Sequence, residues 1–424
     1  MDQPVLRFRT VIALAVPVML AQAATAATGV VDTAIMGLSG TKVDLAAVAI
    51  ASMSFSFLYW AFGFLRMSTT GLTAQAMGEG HPREAALHLQ RGLILGLFIA
   101  LCMVALGPVL RPVIFLPFGA EAAVNDEAEA YFAGRIWGAP ALLMGYAITG
   151  WLIGTGRTGA LLAMQIVMNG LNAGLDMWFV LGLGWGPAGI GAGTALAEWG
   201  ALIFGLWLVR GTLNRQGKIR DTAALKALFG ANRDILIRTL ALLFCFAWFV
   251  RSGAHLGIAT LAGNEVLLQF ITVSAFVLDG FAFVAEKQCG EAYGARDRAQ
   301  MRRAFMVTNV LALAFGAVIS ALYALTGPSI ISAFVKDEAA RDVALSYLPW
   351  CALGPLMGVA AWQLDGLFLG ATQGKALRIA GVFSAVAYLA TDLLLRPLFG
   401  NSGVWAALLA LYIYRAIALS FFVP

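Results

Sequence analysis

Thr158–Leu183 reads TGALLAMQIVMNGLNAGLDMWFVLGL, and its one charged residue is Asp176. A run this long and apolar can cross about 30 Å of hydrocarbon as a helix, which takes roughly 20 residues. Its polar members are ordered. Gln165, Asn169, Asn172 and Asp176 follow one another at steps of four, three and four. At about 100° per residue they share a stripe roughly 60° wide. Lipid does not tolerate such a stripe, so it faces either a partner helix, as a polar seam, or a wet cavity.

The same character extends along the whole chain. Of 424 residues, 60% are hydrophobic and 12% charged, against about 25% charged in a soluble domain. Mean hydropathy is +0.83. A soluble enzyme is thereby ruled out as the default reading, and the length accommodates roughly a dozen spans. Apolar stretches suggest helices near 10–36, 45–75, 88–115, 127–153, 158–183 and 187–210, then near 232–258, 265–291, 304–332, 343–370, 375–398 and 402–422. The first run is too long for a signal-peptide core and lacks a clear A-x-A cleavage site, so it is expected to be retained. Gly211–Gly230, with Arg215, Lys218, Arg220, Asp221 and Lys226, is the longest polar stretch. It is the natural linker between a first lobe, 1–210, and a second, 231–424.

Net charge is +5, which here reads as orientation charge on loops rather than a nucleic-acid surface. With the N-terminus inside, the cytoplasmic side holds Arg7, Arg9, Arg83, Arg91, Arg157, the linker cluster, Lys287, Arg296, Arg298, Arg302, Arg303, Lys375 and Arg378. The other side holds Lys42, Arg111, Lys336, Arg341 and Arg396. That excess of roughly three to one places both termini in the cytoplasm.

The halves resemble each other at a spacing of 216 residues, which relates Gly78 to Gly294, Phe118 to Phe334, Tyr131 to Tyr347, Gly154 to Gly370 and Asp176 to Asp392. Toward the first helix the spacing drifts to 223, pairing Gly40 with Gly263, Val43 with Val266 and Asp32 with His255. Six helices per half is even, so both copies insert with the same orientation. The fold class is thus an all-α membrane protein, with twelve transmembrane helices in two pseudo-symmetric six-helix bundles. Such parallel repeats enclose a cavity that opens to alternate sides, the plan of a secondary transporter.

A carboxylate at the bilayer centre costs about 2.5–3.5 kcal/mol on insertion scales, so each one is a functional candidate. Asp32 shares a helical face with Thr25 and Thr28; the bland alternative is an acid at a frayed helix end reaching water beyond Gly37. At 1.5 Å per residue Asp32, Asp176 and Thr194 lie at a common depth, roughly 10 Å below the outer surface. Two carboxylates in one poorly hydrated pocket cannot both ionise cheaply, so the pair can hold a proton at one stage of a cycle and release it at another. Asn172, Thr194 and main-chain carbonyls supply the neutral oxygens that Na⁺ would need. The stripe does not recur at Gly381, Ala385 and Tyr388, which favours function over glue.

Asp279, Asp365, Arg251 and His255 are further polar candidates in the second half, as are Gln165 and Asn169 in the first, for a substrate cavity or a second-lobe site. Asp279 and Asp365 each precede a glycine, and a lone His is more often a hydrogen-bonded packing residue. Few cations other than Arg66, Arg251 and Arg135 stand within the helices. Cys102, Cys245, Cys289 and Cys351 are far apart, without CxxC spacing or a nearby His pair, and read as inert buried thiols. GTGRTG (154–159) and GATQGK (370–375) lack the Walker spacing and read as equivalent turns.

Several longer segments, VVDTAIMG (30–37), FLRMSTTGLTAQAMG (64–78), NGLNAGLDMWFVLGLG (169–184), LDGFAFVAEKQCGEAYGARD (278–297) and WQLDGLFLGAT (362–372), resemble the multidrug and toxic compound extrusion (MATE) family, within it the bacterial branch of DNA-damage-inducible protein F. The resemblance implies a multi-pass protein of the bacterial inner membrane that exports small organic cationic or amphipathic compounds by H⁺- or Na⁺-driven antiport. It implies a first-lobe cation site at Asp32, Asn172, Asp176 and Thr194, with Na⁺ the one metal such a site would take, and a hinge at Pro17, which removes a backbone donor. Another branch carries a Glu on helix seven, but no acid lies within Leu236–Ile258; Asp365 on helix ten does match the family pattern. H⁺ is the expected coupling ion and a monomer the expected state, with no other cofactor, no nucleic-acid partner and lipid as the surroundings. The alternative is a lipid-linked sugar flippase, which would need a strongly cationic cavity. No HExxH, GxSxG or paired His supports an intramembrane enzyme.

Overall fold

An unpaired backbone N–H or C=O in hydrocarbon costs several kcal/mol, so a chain this apolar must pair its backbone within each span. The computed structural model describes residues 8–115, 121–213 and 222–423, and among these there is no strand. The first half comprises α1 (Phe8–Ser39), α2 (Lys42–Ala61), α3 (Phe64–Gly78), α4 (Pro82–Ala105), α5 (Gly107–Phe115), α6 (Ala122–Arg135), α7 (Ala139–Gly154), α8 (Thr158–Asp176) and α9 (Gly186–Leu213). A π-helical stretch, Met177–Gly182, extends α8. The second half comprises α10 (Thr222–His255), α11 (Ile258–Gly294), α12 (Arg298–Phe334), α13 (Glu338–Gly370), α14 (Gly374–Phe399) and α15 (Asn401–Ser420).

Among the described residues, 11 helical segments are long and apolar enough to cross a membrane. The twelfth is α8, whose amide and acid residues dilute its hydropathy but which reaches from Thr158 to Gly182 with its π extension. Three spans of the first half are broken where continuous helices are expected. The breaks fall at Phe62–Gly63, at Leu106 and at the 3₁₀ turn Ile136–Gly138. Each is followed or occupied by glycine, and the last two precede Pro108 and Pro140, which lack a backbone donor.

The duplication is written in the backbone. Helix starts Lys42 and Ile258, Pro82 and Arg298, Ala122 and Glu338, and Thr158 and Gly374 are all 216 residues apart. So are the left-handed positions Gly80 (φ 75°) and Arg296 (57°), Gly156 (73°) and Thr372 (50°), and Gly184 (69°) and Gly400 (58°). GTGRTG and GATQGK close with matching bonds, Arg157 N to Leu152 O (2.7 Å) and Gln373 N to Phe368 O (2.9 Å). Because α1 and α10 end at Ser39 and His255, the same spacing continues through the first helix. The drift to 223 rests on a short local similarity, and the counterpart of Asp32 is Trp248 rather than His255.

Residues 20–226 form one compact unit, whereas residues up to 19 join 227–424 in the other. The expected first lobe, 1–210, is corrected on this point. The reason is packing: Val11 and Ala15 of α1 sit in a core with Leu278, Phe281, Val284, Ala312 and Val359. Gly280 leaves room there, since a Cβ would meet the Ala15 carbonyl at 3.0 Å. Part of the expected linker 211–230, residues 214–221, lies outside the described residues, and α9 and α10 extend into its two ends.

Within the unit of residues 20–226, α6 packs on α2 and α9, α7 on α3 and α4, and α8 on α9. Within the other, α13 packs on α11, α12 and α15, and α14 on α15. Phe249, Leu267, Tyr388, Trp405 and Leu408 lie in its core. Cys245, Cys289 and Cys351 are buried as expected, but Cys102 is exposed on α4, on a face that lipid would cover.

Candidate functional site

Two polar stripes meet along α1 and α8. Thr25 Oγ1, which donates to the Ala21 carbonyl (3.0 Å), lies 3.4 Å from Gln165 Oε1, and Thr28 Oγ1 donates to Asn169 Oδ1 (2.6 Å). One turn further, Asp32 faces Asn172 and Asp176 and lies within side-chain hydrogen-bonding reach of both. Thr25, Thr28 and Asp32 thus do share a face, as their spacing predicts. Asp32 is 5% exposed in a helix that continues to Ser39, so it is not a frayed-end acid.

Asn172 organises the cluster. Its Nδ2 donates to Asp176 Oδ2 (2.8 Å) and to Thr194 Oγ1 (3.1 Å), while the Thr194 hydroxyl donates to the Ile190 carbonyl (2.8 Å). Asn172, Asp176 and Thr194 are all buried. Within this four-residue cluster Asp32 Oδ1, Asn172 Oδ1 and Asp176 Oδ1 have no hydrogen-bond donor, while one turn away on the stripe Asn169 Nδ2 has no acceptor. Buried acceptors without donors are costly. This donor-poor set of carboxylate, amide and hydroxyl oxygens suits a proton, or a hard cation held by oxygen.

Local sequence creates the space. A Cβ on Gly193 of α9 would collide with Asp176 Oδ1, so glycine is what lets that carboxylate stand against α9. Immediately after Asp176 the helix widens into its π stretch, with Leu183 N bonding Trp178 O at 3.0 Å. Such widenings are frequent at functional sites.

Behind this cluster lies an ion pair absent from the sequence reading. Arg135 Nη1 and Nη2 donate to Glu198 Oε2 and Oε1 at 2.6 and 2.5 Å, a bidentate bridge between buried partners. The guanidinium lies over the rings of Phe55 and Tyr59, 5.5 and 5.1 Å from their centroids. Glu198 stands one helical turn after Thr194, a spacing that could have revealed it.

The equivalent place in the second half is differently equipped. Asp392, counterpart of Asp176, accepts from Trp248 Nε1 (2.8 Å) and Ser252 Oγ (3.0 Å) and has Arg396 at 3.6 Å. Trp248, a donor, stands where the first half has Asp32. Asp365 is buried and ion-paired to both Arg238 and Arg415. These two arginines correct the expectation of few intramembrane cations; each lies inside an apolar run and was visible there. Asp279 acts electrostatically on Arg415. His255 accepts from Arg251 Nε (3.3 Å) at the exposed end of α10. The structure therefore gathers Asp32, Asn172, Asp176 and Thr194, with Gln165 and Asn169 on the same stripe. Asp279, Asp365, Arg251 and His255 stand in the other unit, the two acids both acting on Arg415 and Arg251 paired with His255 at the end of α10.

Duplicated helical bundles with a buried acid–amide cluster define a multi-pass membrane transporter. The MatE family model matches residues 17–178 and 235–394, and the chain belongs to that family, the multidrug and toxic compound extrusion transporters. It is 36% identical to DNA damage-inducible protein F of Escherichia coli (strain K12), over 96% of this chain and 90% of that protein. It is 30% identical to a probable multidrug resistance protein NorM of Deinococcus radiodurans, over 95% and 92%. Among solved structures, a MATE crystal structure in the bent conformation shares the fold with a TM-score of 0.89 at 18% identity, covering 97% of this chain and 94% of that one. None of these likenesses supports a lipid-linked sugar flippase.

Proposed function

We propose that the protein is an H⁺-coupled antiporter of the bacterial inner membrane, exporting organic cationic or amphipathic compounds, with Asp32, Asn172, Asp176 and Thr194 as its coupling site. The observation that carries this reading is the trio of buried acceptor oxygens without donors, on Asp32, Asn172 and Asp176. Two carboxyl groups in hydrogen-bonding reach can bond only through a proton. With one proton the pair is a closed, singly charged unit. Without it, two negative charges face each other, and at about 4 Å and an effective dielectric of about 20 they repel by about 4 kcal/mol. That repulsion works to separate α1 from α8 and leaves a negative cavity suited to a cation. Proton return reverses the change and releases the substrate.

Pro17 interrupts the hydrogen bonding of α1 near the point where that helix passes from one unit to the other, which supports a hinge there. The Lys/Arg asymmetry supports cytoplasmic termini. Na⁺ is the second reading, because the same oxygens would ligate it; the carboxyl–carboxyl approach favours the proton. Purified protein in liposomes, given H⁺ and Na⁺ gradients separately, decides the matter. Efflux of tetraphenylphosphonium driven by a pH gradient in Na⁺-free buffer is the expected result, and efflux driven by Na⁺ alone would overturn it.

A further inference from the structure

We propose that the ends of α10 and α14 away from the linker form a binding site for the headgroup of an anionic phospholipid, built on Arg251, His255 and Arg396. An open cleft of about 480 Å³ lies there, lined by His255, Leu256, Arg396, Pro397 and Gly400. Arg251 joins its wall through His255, since Arg251 Nε donates to His255 Nε2 at 3.3 Å. A ring nitrogen that accepts leaves the imidazole hydrogen on the other one, so His255 offers Nδ1 as a donor. Gly400, the N-cap of α15, makes no side-chain cap hydrogen bond. The first amides of that 20-residue helix therefore add donors and partial positive charge at this end. Guanidinium, imidazole and amide donors together suit the oxygens of a phosphate.

The local charge is positive. Arg396 lies 3.6 Å from Asp392, and its Nη1 donates to Ser252 Oγ (3.4 Å), so that acid offsets one guanidinium. Arg251 is held by neutral partners instead: His255, and the ring of Trp248, whose centroid lies 5.0 Å from its guanidinium carbon. These contacts leave its charge in place. The shared backbone plan does not demand it, because the positions 216 residues earlier are Ile35, Ser39 and Val180. Balancing Asp392 would need Arg396 alone, yet two further bases stand beside it in this half.

Depth and neighbours select a lipid over a soluble anion. The spans Leu228–His255 and Gly374–Phe399 both end at the cleft, which puts its bases at the headgroup level of a bilayer with about 30 Å of hydrocarbon. Ile258, Leu394, Leu398 and Phe399, next to them along the chain, are all exposed, a surface that acyl chains would cover. A basic pocket between helix ends with apolar flanks matches a phosphate carried on two acyl chains.

The test is native mass spectrometry of the purified full-length protein in detergent, titrated with dioleoylphosphatidylglycerol or dioleoylphosphatidylcholine and read as the affinity for the first lipid bound. The wild type is expected to hold the anionic lipid about fivefold more tightly or better. Arg251→Gln/His255→Gln is expected to abolish that preference. Arg302→Gln/Arg303→Gln, which removes exposed charge near the start of α12, keeps it. A preference absent from the wild type, or retained by Arg251→Gln/His255→Gln, overturns the proposal. Equal loss in the α12 control marks a general charge effect and overturns it too, as does displacement of the lipid by inorganic phosphate, the mark of a soluble-anion site. If the first variant does not accumulate, Arg251→Gln alone, at an exposed position, carries the same expectation, and the lipid and phosphate comparisons on the wild type need no variant.

Discussion

An acid inside a bilayer is costly unless its surroundings stabilise it, and under the proposed coupling the two acids of α1 and α8 share one proton. Asp32→Asn and Asp176→Asn each keep the shape and remove the exchangeable proton. Either is expected to cut pH-gradient-driven efflux by about 5- to 150-fold, the span of a coupling free energy of 1–3 kcal/mol, with protein level in the membrane as the control. Gly193→Ala tests the space rather than the charge. Its methyl group would displace Asp176 Oδ1, so coupled efflux is expected to fall while the thermal midpoint in detergent changes little. Wild-type efflux from Gly193→Ala would show that the Asp176 position against α9 is not needed.

At the scale of helices, the crossing of α6 and α9 is the most exacting contact around the site. Gly191→Ala puts a side chain against the Tyr131 carbonyl; overpacking of this kind costs typically about 1–3 kcal/mol. A drop of several degrees in thermal midpoint is expected, and an unchanged midpoint would contradict the close approach. The polar stripe of α8 and its partners on α1 were legible in the sequence because helical period alone fixes which residues share a face. Asn172 and Asp176, four apart, could therefore be placed beside each other before any coordinates. The breaks at Gly63 and Gly138 and the π stretch after Asp176 were not legible, since each depends on what packs against the helix. Glu198, Arg238 and Arg415 were visible as charges within apolar runs, but sequence spacing could not say which acid or base each would meet across the bundle.

For the molecule as a whole, the two halves keep one backbone plan and differ in chemistry. The 216-residue register could be read from sequence, and the left-handed turns at Gly80 and Arg296 carry it in the backbone. Sequence could not show that Trp248 occupies the place of Asp32, because a local similarity near the first helix suggested another alignment. Asp392 Oδ2 accepts from Trp248 and Ser252 and has Arg396 nearby, whereas Asp176 Oδ2 accepts from Asn172 and faces a second acid; the Oδ1 of each is without a donor. Asp392→Asn is accordingly expected to lower stability yet leave pH-gradient-driven efflux per molecule within about twofold of wild type, well inside the range of a lost coupling. Loss of drive in that variant would mean that the second half also exchanges a proton.

The most direct measurement follows protons themselves, with a pH-sensitive dye, as tetraphenylphosphonium is added to the purified protein in weakly buffered, Na⁺-free solution. Release of protons by the wild type, absent from an Asp32→Asn/Asp176→Asn variant, is the result the account requires. Substrate binding without proton release, or the same release from that double variant, would contradict it.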